Sequence, residues 1–175
     1  MSFDIVAAGP GHVAALEAIY GHWVRHGLAS FEEVPPDAEE IDRRRQAVQA
    51  AGLPYLVALA GEDVIGFAYA GPYRARPGYR YSVEDSVYVA PEALSCGAGR
   101  ALLAAIIAEA ERLGYRQMVA VIGDSANAAS IGLHEALGFH RVGTFTSIGF
   151  KLGRWVDSVL MQRALGRGDS ELPGR

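Results

Sequence analysis

Residues 83–103 read VEDSVYVAPEALSCGAGRALL, and this stretch decides the fold. A strand-like run ends at Pro91, a short irregular segment carries Gly97 and Gly99, and an apolar helical pattern then begins. The first backbone N–H groups of a helix lack intrahelical partners, and glycines let an anion approach them closely. With Arg100 in the first turn, the segment predicts an anion-binding loop between a strand and a helix.

This loop differs from two well-known nucleotide-binding motifs. No Gly-Lys-Ser/Thr follows it, so it is not a P-loop. The third glycine of a dinucleotide-binding fingerprint is missing, as is an acidic ribose ligand at the usual distance. Two glycines before a helix also occur in ordinary strand-to-helix turns, so that alternative stays open from these residues alone.

Length and composition predict one domain. The chain has 175 residues, half of them hydrophobic, and a net charge of −4, which argues against a nucleic-acid partner. One cysteine, Cys96, excludes an internal disulfide and fits a reducing compartment. No signal-peptide pattern opens the chain, and no apolar run could span a membrane. We expect a cytoplasmic protein without a membrane partner, with one domain over residues 1–165 and a polar, frayed tail over residues 166–175.

Hydrophobic periodicity predicts a mixed α/β fold. Glycines at 52, 114 and 138 are placed to end helices. Residues 71–80, GPYRARPGYR, predict a loop because they hold two glycines and two prolines. The predicted strands cover residues 3–7, 55–59, 64–70, 82–89, 117–123, 139–142 and about 156–164, and the predicted helices cover 13–23, 37–51, 102–113 and 127–137.

A second motif, NAASIGLHEALGF, covers residues 127–139. Asn127 stands where a strand ends and a helix begins, a position that suits an N-cap. Ser130 and His134 follow at helical spacing, so the three side chains share one face. A histidine at the edge of the core, without any chemical role, is the plain alternative for His134.

The two segments together resemble the Gcn5-related N-acetyltransferases. More narrowly, the chain resembles the phosphinothricin and the methionine sulfone or sulfoximine acetyltransferases between about residues 3 and 165. The resemblance implies a seven-stranded mixed sheet that splays apart to admit acetyl-CoA, flanked by about four helices. It also implies a homodimer and, with phosphinothricin as substrate, herbicide resistance. The further segments that carry it are IYGHWV, ASFEEVPP, AYAGPYRARPGYRYSVEDSVYV, QMVAVIGDSANAASIGLHEALGF and GFKLGRWVDSVLMQ.

The resemblance also implies which residues hold acetyl-CoA, with no metal involved. The backbone of Val87, Tyr88 and Val89 would hold the pantetheine arm, and Asn127, Ser130 and His134 would lie toward its thiol end. His134 would protonate the departing thiolate, a task that suits a group titrating near neutral pH. The pyrophosphate would lie against Gly97, Ala98, Gly99 and Arg100.

The acceptor implied is the α-amine of a small amino-acid-like molecule, acetylated by direct transfer. Only a neutral amine attacks a thioester, so a base is needed, and the resemblance assigns Glu84. Asp85 points to the opposite face of a regular strand and is a reserve candidate. The anionic groups of the acceptor would be recognised by Arg74 first. Arg76 and Arg80 could also pair with these groups, and a solvated loop charge is the alternative for both. Tyr73 could form a wall beside Arg74, and the further lining candidates are Phe31, Glu32, Lys151 and Arg154.

The loop departs from the family pattern at three positions. Leu94 replaces an arginine or glutamine, Ser95 a glycine, and Cys96 a basic residue, so we expect weakened acetyl-CoA binding with intact chemistry. Cys96 is expected to be a small loop residue rather than an acyl-carrying nucleophile. Two alternative functions remain open: acetylation of another amine or of a protein N-terminus, and non-catalytic binding of acyl-CoA.

Overall fold

The computed structural model describes residues 2–173, which form a seven-stranded sheet and four α-helices. Three short 3-10 segments lie at Pro10–His12, Pro77–Tyr79 and Pro91–Ala93. Along the chain the elements are β1 (Asp4–Ala7), α1 (Val13–His26), α2 (Ala38–Ala50), β2 (Tyr55–Ala60), β3 (Asp63–Pro72), β4 (Ser82–Val89), α3 (Ala98–Arg112), β5 (Gln117–Gly123), α4 (Ala128–Ala136), β6 (His140–Lys151) and β7 (Arg154–Ala164).

The sheet opens in its middle, between β4 and β5. Its strand order is β1-β2-β3-β4-β5-β7-β6, and β4–β5 is the one parallel pair in a sheet that is otherwise antiparallel. That pair is joined only over Ser82–Glu84 and Gln117–Val119, after which the strands diverge. The predicted mixed α/β fold with a splayed seven-stranded sheet and four helices is thereby confirmed.

Helices cover both faces of the sheet. On one face the Phe67 and Tyr88 rings stack 5.2 Å apart, and Tyr20 of α1 meets Tyr88 edge-on. On the other face Gly66 faces Leu102 of α3, where a Cβ would lie 3.2 Å from the leucine Cδ1. Successive residues of a strand point to opposite faces, so α1 and α3 sandwich this half of the sheet. The apolar stripe of α3 that the sequence predicted is buried there.

The last hairpin is longer than the sequence predicts. A strand was expected over residues 139–142, but β6 runs from His140 to Lys151. Its pairing with β7 shifts register twice, between Arg141 and Gly143 and between Phe145 and Gly149. Each irregularity breaks the two-residue alternation by which a strand is recognised, although β7 still supplies hydrogen-bond partners.

The segment that follows β7 contains hydrogen-bonded turns. In the segment predicted as a polar tail, residues 166–170 form turns, with the Gly168 amide donating to the Leu165 carbonyl. Residues 174–175 of that tail lie outside the described residues.

Among the helices of the described part, none is both long and apolar enough to traverse a bilayer.

Candidate active site

A cavity of about 240 Å³ lies where β4 and β5 separate. Unpaired strand edges form two of its walls, and α4 and the segment after α1 close it. It brings together seven predicted site residues from three segments, the loop after α1, β4 and α4 with its cap: Phe31, Glu84, Val87, Tyr88, Asn127, Ser130 and His134. The complete lining is Ala29, Phe31, Glu84, Asp85, Ser86, Val87, Tyr88, Ala120, Val121, Ile122, Gly123, Asn127, Ser130, His134 and Ser158.

Glu84 lies at the last position where β4 pairs with β5, opposite Val119. Its side chain is half-buried, and this burial raises its pKa above the usual value for glutamate. The neighbouring Asp85 charge raises the pKa further, whereas the Arg74 guanidinium lowers it. A carboxylate with a raised pKa, at the mouth of a cavity, is suited to accept a proton from an amine.

Asp85 and His134 form a buried pair on the opposite side of β4. His134 Nε2 lies 3.0 Å from Asp85 Oδ2, and the residues are 4% and 7% exposed. The register between β3 and β4 has no bulge, so Glu84 and Asp85 leave opposite faces as predicted. Burial lowers the pKa of His134, but the Asp85 hydrogen bond and charge and the Ser130 carbonyl raise it more, so the net shift is upward.

The start of α4 fixes the position of His134. Asn127 caps the helix, because its Oδ1 accepts a hydrogen bond from the Ser130 amide at 3.1 Å. One turn later, His134 Nδ1 lies 2.7 Å from the Ser130 carbonyl oxygen. Phe139 packs edge-on against the imidazole at 5.0 Å. The predicted shared face of Asn127, Ser130 and His134 is therefore present and faces the cavity.

The free edge of β4 offers backbone groups to an extended ligand. The Ala90 amide donates to Ile65 of the β3 side, so by alternation the amides of Val87 and Val89 point toward β5, and that of Tyr88 toward β3. No β5 residue pairs with β4 beyond Glu84. The Val89 carbonyl accepts a hydrogen bond from Trp23 Nε1 at 2.8 Å. The Val87 amide therefore remains directed into the cleft.

The start of α3 retains the geometry of an anion cradle. Gly97 is the N-cap of the helix in a left-handed conformation, with φ of 91°, and has no side chain to bond the first helical amides. A Cβ on Gly99 would lie 3.4 Å from Val89 and 3.6 Å from Leu133, so the helix start packs closely on β4 and α4. Arg100 is exposed, and Cys96 is half-buried. These features fit the pyrophosphate and pantetheine of acetyl-CoA.

The arginine-rich loop lies outside the cavity lining. The Arg74 guanidinium sits over the Tyr73 ring, 5.2 Å from its centroid, and is exposed. Arg76 is exposed as well, and Arg80 lies over Tyr81 at 4.8 Å. Of the predicted acceptor-binding residues, the structure thus brings Phe31 and Glu84 to the cavity. Arg74 reaches it only through its charge, which acts on Glu84.

Three further lining candidates have structural partners instead. Glu32 pairs with Arg44 at 2.6 Å and accepts a hydrogen bond from the Tyr20 hydroxyl. Arg154 pairs with Asp124 at 2.5 Å. Lys151 is 2% exposed, and its Nζ donates to the Ser30 carbonyl at 2.5 Å.

Lys151 anchors the part of the cavity wall that Phe31 forms, a role that the sequence did not predict. Its bond to Ser30 holds the residue before Phe31. The Phe31 ring packs on β6, where a Cβ on Gly149 would lie 2.5 Å from it. The hydrogen bond between Lys151 and Ser30 joins residues 121 positions apart, so no local sequence pattern predicts it. The available signal was the family resemblance, which made Lys151 a lining candidate.

The fold, the split sheet and the titratable residues beside the split are consistent with one class of enzyme. The acetyltransferase (GNAT) family model matches residues 16–139, and the chain belongs to that family. It is therefore an acyltransferase that uses acetyl-CoA. Within the described residues no cluster of histidine, cysteine, aspartate or glutamate could hold a metal ion.

Particular relatives narrow the class. The chain is 55% identical to a phosphinothricin N-acetyltransferase from Alcaligenes faecalis over 159 residues, which are 91% of this chain and 81% of that one. It is 42% identical to an L-methionine sulfoximine/L-methionine sulfone acetyltransferase from Salmonella typhimurium, covering 87% and 88%. A phosphinothricin acetyltransferase from Sinorhizobium meliloti, solved with AcCoA, superposes with a TM-score of 0.97 at 42% identity, covering 100% and 95%. The predicted family is confirmed.

Leu94→Arg is expected to lower the KM for acetyl-CoA by roughly two- to fivefold with kcat unchanged. Leu94 is 53% exposed beside the α3 start, and an exposed charge contact is worth roughly 0.2–1 kcal/mol. Steady-state kinetics at varied acetyl-CoA and low salt measures it. Leu113→Arg, at the other end of α3, is the matched control. An unchanged KM for Leu94→Arg would mean that the loop does not lack a charge contact.

Proposed function

We propose that this enzyme acetylates the α-amine of a small, anionic amino-acid-like substrate of the phosphinothricin, methionine sulfone or methionine sulfoximine type. The names of its relatives support this substrate class. The observation that carries the proposal is a half-buried glutamate, Glu84, at the point where the sheet splits. It lines the same cavity as Phe31, which we propose as the acceptor wall, and as the part of β4 that is not paired with β5.

Glu84 acts as the base. It accepts a proton from the substrate ammonium, directly or through a water, and the neutral amine then attacks. Bound acetyl-CoA supplies the acetyl group as a thioester. The Val87 amide, directed into the cleft, donates to the carbonyl oxygen as negative charge develops on it. Attack forms the C–N bond and breaks the C–S bond, so the sulfur leaves with the electron pair.

His134 acts at the leaving sulfur. It lines the cavity with Asn127 and Ser130, the residues proposed to lie at the thiol end. An imidazolium there stabilises the departing thiolate through its positive charge, while its two N–H groups stay bonded to Ser130 and Asp85. The thiolate then takes its proton from water. The upward shift in the pKa of His134 favours this charged form near neutral pH.

Acceptor recognition is shared between a wall and a charged loop. Phe31 lines the cavity, and Arg74 lies close enough to lower the pKa of Glu84. We propose that Arg74, with Tyr73 beside it, pairs with an anionic group of the acceptor, and that Arg76 adds a second positive charge. Bidentate contacts of this kind suit carboxylates and phosphinates.

Thiol release from acetyl-CoA in the presence of an amino-acid panel tests the substrate class. Phosphinothricin, methionine sulfone and methionine sulfoximine are expected to give the highest kcat/KM. The panel includes unmodified methionine and a short peptide with a free N-terminus. Preference for the peptide would overturn the proposal in favour of a protein N-terminal acetyltransferase. Absence of release with every amine would favour a binding role.

We propose that two copies of the chain associate through the last hairpin. Phe150 and Trp155 pack edge-on at 5.3 Å yet remain 56% and 66% exposed. Such a contiguous apolar patch is unusual for a monomer. Sedimentation is expected to give a dimer, and Phe150→Glu a monomer. A monomeric wild-type protein would contradict the proposal. The other exposed apolar side chains of β6 and its turn are Val142, Phe145, Ile148 and Leu152.

We also propose a cytoplasmic location, in keeping with the single cysteine. There the enzyme would acetylate phosphinothricin and so confer resistance to it as a herbicide. Bacteria expressing the chain are expected to grow on phosphinothricin, whereas those expressing a Glu84→Gln variant are not. Equal sensitivity of both strains would argue against this role.

A further inference from the structure

The hydrogen bonds around His134 fix how many protons the site holds. Nδ1 lies 2.7 Å from the Ser130 carbonyl oxygen, which can only accept, so Nδ1 carries a hydrogen. Nε2 lies 3.0 Å from Asp85 Oδ2. A neutral imidazole with hydrogen on Nδ1 would present a bare nitrogen to a carboxylate oxygen. The pair therefore holds one proton more than neutral histidine beside a carboxylate, and that proton lies between Nε2 and Oδ2.

The second oxygen of Asp85 supports a role beyond packing. Oδ1 is buried and has no hydrogen-bond partner among residues 2–173. Leaving a carboxylate oxygen buried without a partner is costly, and such exceptions occur where function requires them. Asp85 lines the same cavity as His134 and Glu84. Asp85 is thus a residue of the cavity lining whose side chain is almost fully buried, at 2% exposed.

We propose that Asp85 is a positioning residue of the transfer reaction, which holds His134 as an imidazolium at the wall of the cleft. The inference rests on the proposed function, in which His134 faces the leaving sulfur. Asp85 acts through the ring: it fixes the orientation with one hydrogen bond and stabilises the positive charge. A histidine buried without such a partner would be neutral near physiological pH, because burial disfavours the charged form.

Asp85 also acts on the base across the strand. It neighbours Glu84 on β4, and its negative charge makes loss of the Glu84 proton harder. The charged groups facing the two residues are few: Asp85 acts on His134, and Asp85 and Arg74 act on Glu84. The Tyr69 phenol of β3 also senses the Glu84 charge. The Asp85 carboxylate therefore raises the pKa of both His134 and Glu84.

This coupling predicts a specific pH signature for Asp85→Asn. In the wild type, kcat falls at low pH as Glu84 becomes protonated, and at high pH as His134 loses its proton. Removal of the Asp85 charge lowers the pKa of both groups, so both limbs of the profile move to lower pH. Loss of packing alone would lower kcat without moving the two limbs together.

The test combines NMR with kinetics on the full chain. The His134 resonance, assigned by its absence in His134→Gln, is expected to titrate at lower pH in Asp85→Asn than in the wild type. In the kinetic arm, kcat at pH 8 should fall on the order of tenfold, as expected when His134 loses its positive charge. Asp63→Asn, at an exposed site, is the matched control. Asp85→Ser replaces the asparagine variant if that one does not fold.

The outcomes distinguish failure of the role inferred for Asp85 from failure of the role proposed for His134. An unchanged His134 titration in Asp85→Asn would overturn the role of Asp85, whatever the substrate. Wild-type kcat in His134→Gln would overturn the role proposed for His134 and, with it, this inference, even with an intact pair by NMR. In the double variant Asp85→Asn/His134→Gln, kcat should equal that of His134→Gln where Glu84 is deprotonated. A further tenfold loss there would mean that Asp85 does not act through the ring.

Discussion

Glu84→Gln is expected to lower kcat on the order of 10²- to 10⁴-fold, the usual contribution of general acid–base catalysis. Glutamine keeps the shape of the side chain and a carbonyl oxygen but cannot accept the ammonium proton. Glu84 is the predicted base that lies both at the split of the sheet and in the cavity lining. Thiol release at saturating acetyl-CoA and acceptor, at pH 7.5, measures the loss.

The pH dependence of that loss identifies its cause. Burial and the Asp85 charge raise the pKa of Glu84, so wild-type activity should fall on acidification at a higher pH than for an ordinary glutamate. The Glu84→Gln deficit should narrow at alkaline pH, where the substrate amine is already neutral. Glu62→Gln, in an exposed turn, is the matched control. Near-wild-type kcat for Glu84→Gln at neutral pH would refute the assignment.

Much of the fold was predictable because hydrophobic periodicity and glycines at helix ends, both local in sequence, determine its helices and strands. The strand over residues 82–89 was predicted with the observed bounds, and the apolar stripe of α3 with the face it buries. Gly114 and Gly138 follow helices and have positive φ, as expected for C-terminal caps. β6 was underestimated because two register shifts interrupt its alternation, and only its pairing with β7 defines it.

The candidate site was predictable in its residues but not in its contacts. Glu84, Asn127 and His134 lie in recognisable motifs, and the fold brings them to one cavity. The bond between Asp85 and His134 links positions 49 residues apart, and it depends on how α4 packs beside β4. Sequence could assign Asp85 a face of the strand, but not a partner. Arg76, a substrate-binding candidate with a solvated loop charge as its alternative, is exposed.

Stability offers an independent measure of the buried pair. His134→Phe leaves both oxygens of Asp85 without a partner, and breaking a buried pair in this way costs about 3–5 kcal/mol. His134→Gln keeps a donor that can reach Asp85 and should lose less. Since the folded-state pKa of His134 is raised, its stabilising contribution is full below the unfolded pKa and is lost as pH rises through the folded one.

His134→Gln is therefore the variant that isolates the chemical role, and it is expected to lower kcat on the order of 10²-fold. The amide can donate to Asp85 as the ring does, but it carries no positive charge to stabilise the thiolate. The alkaline limb of the kcat profile should disappear, because the group that titrates there is gone, while the acid limb set by Glu84 remains. His140→Gln, an exposed histidine just beyond α4, should behave as wild type. An alkaline limb that survives in His134→Gln would assign the titrating positive charge to another group.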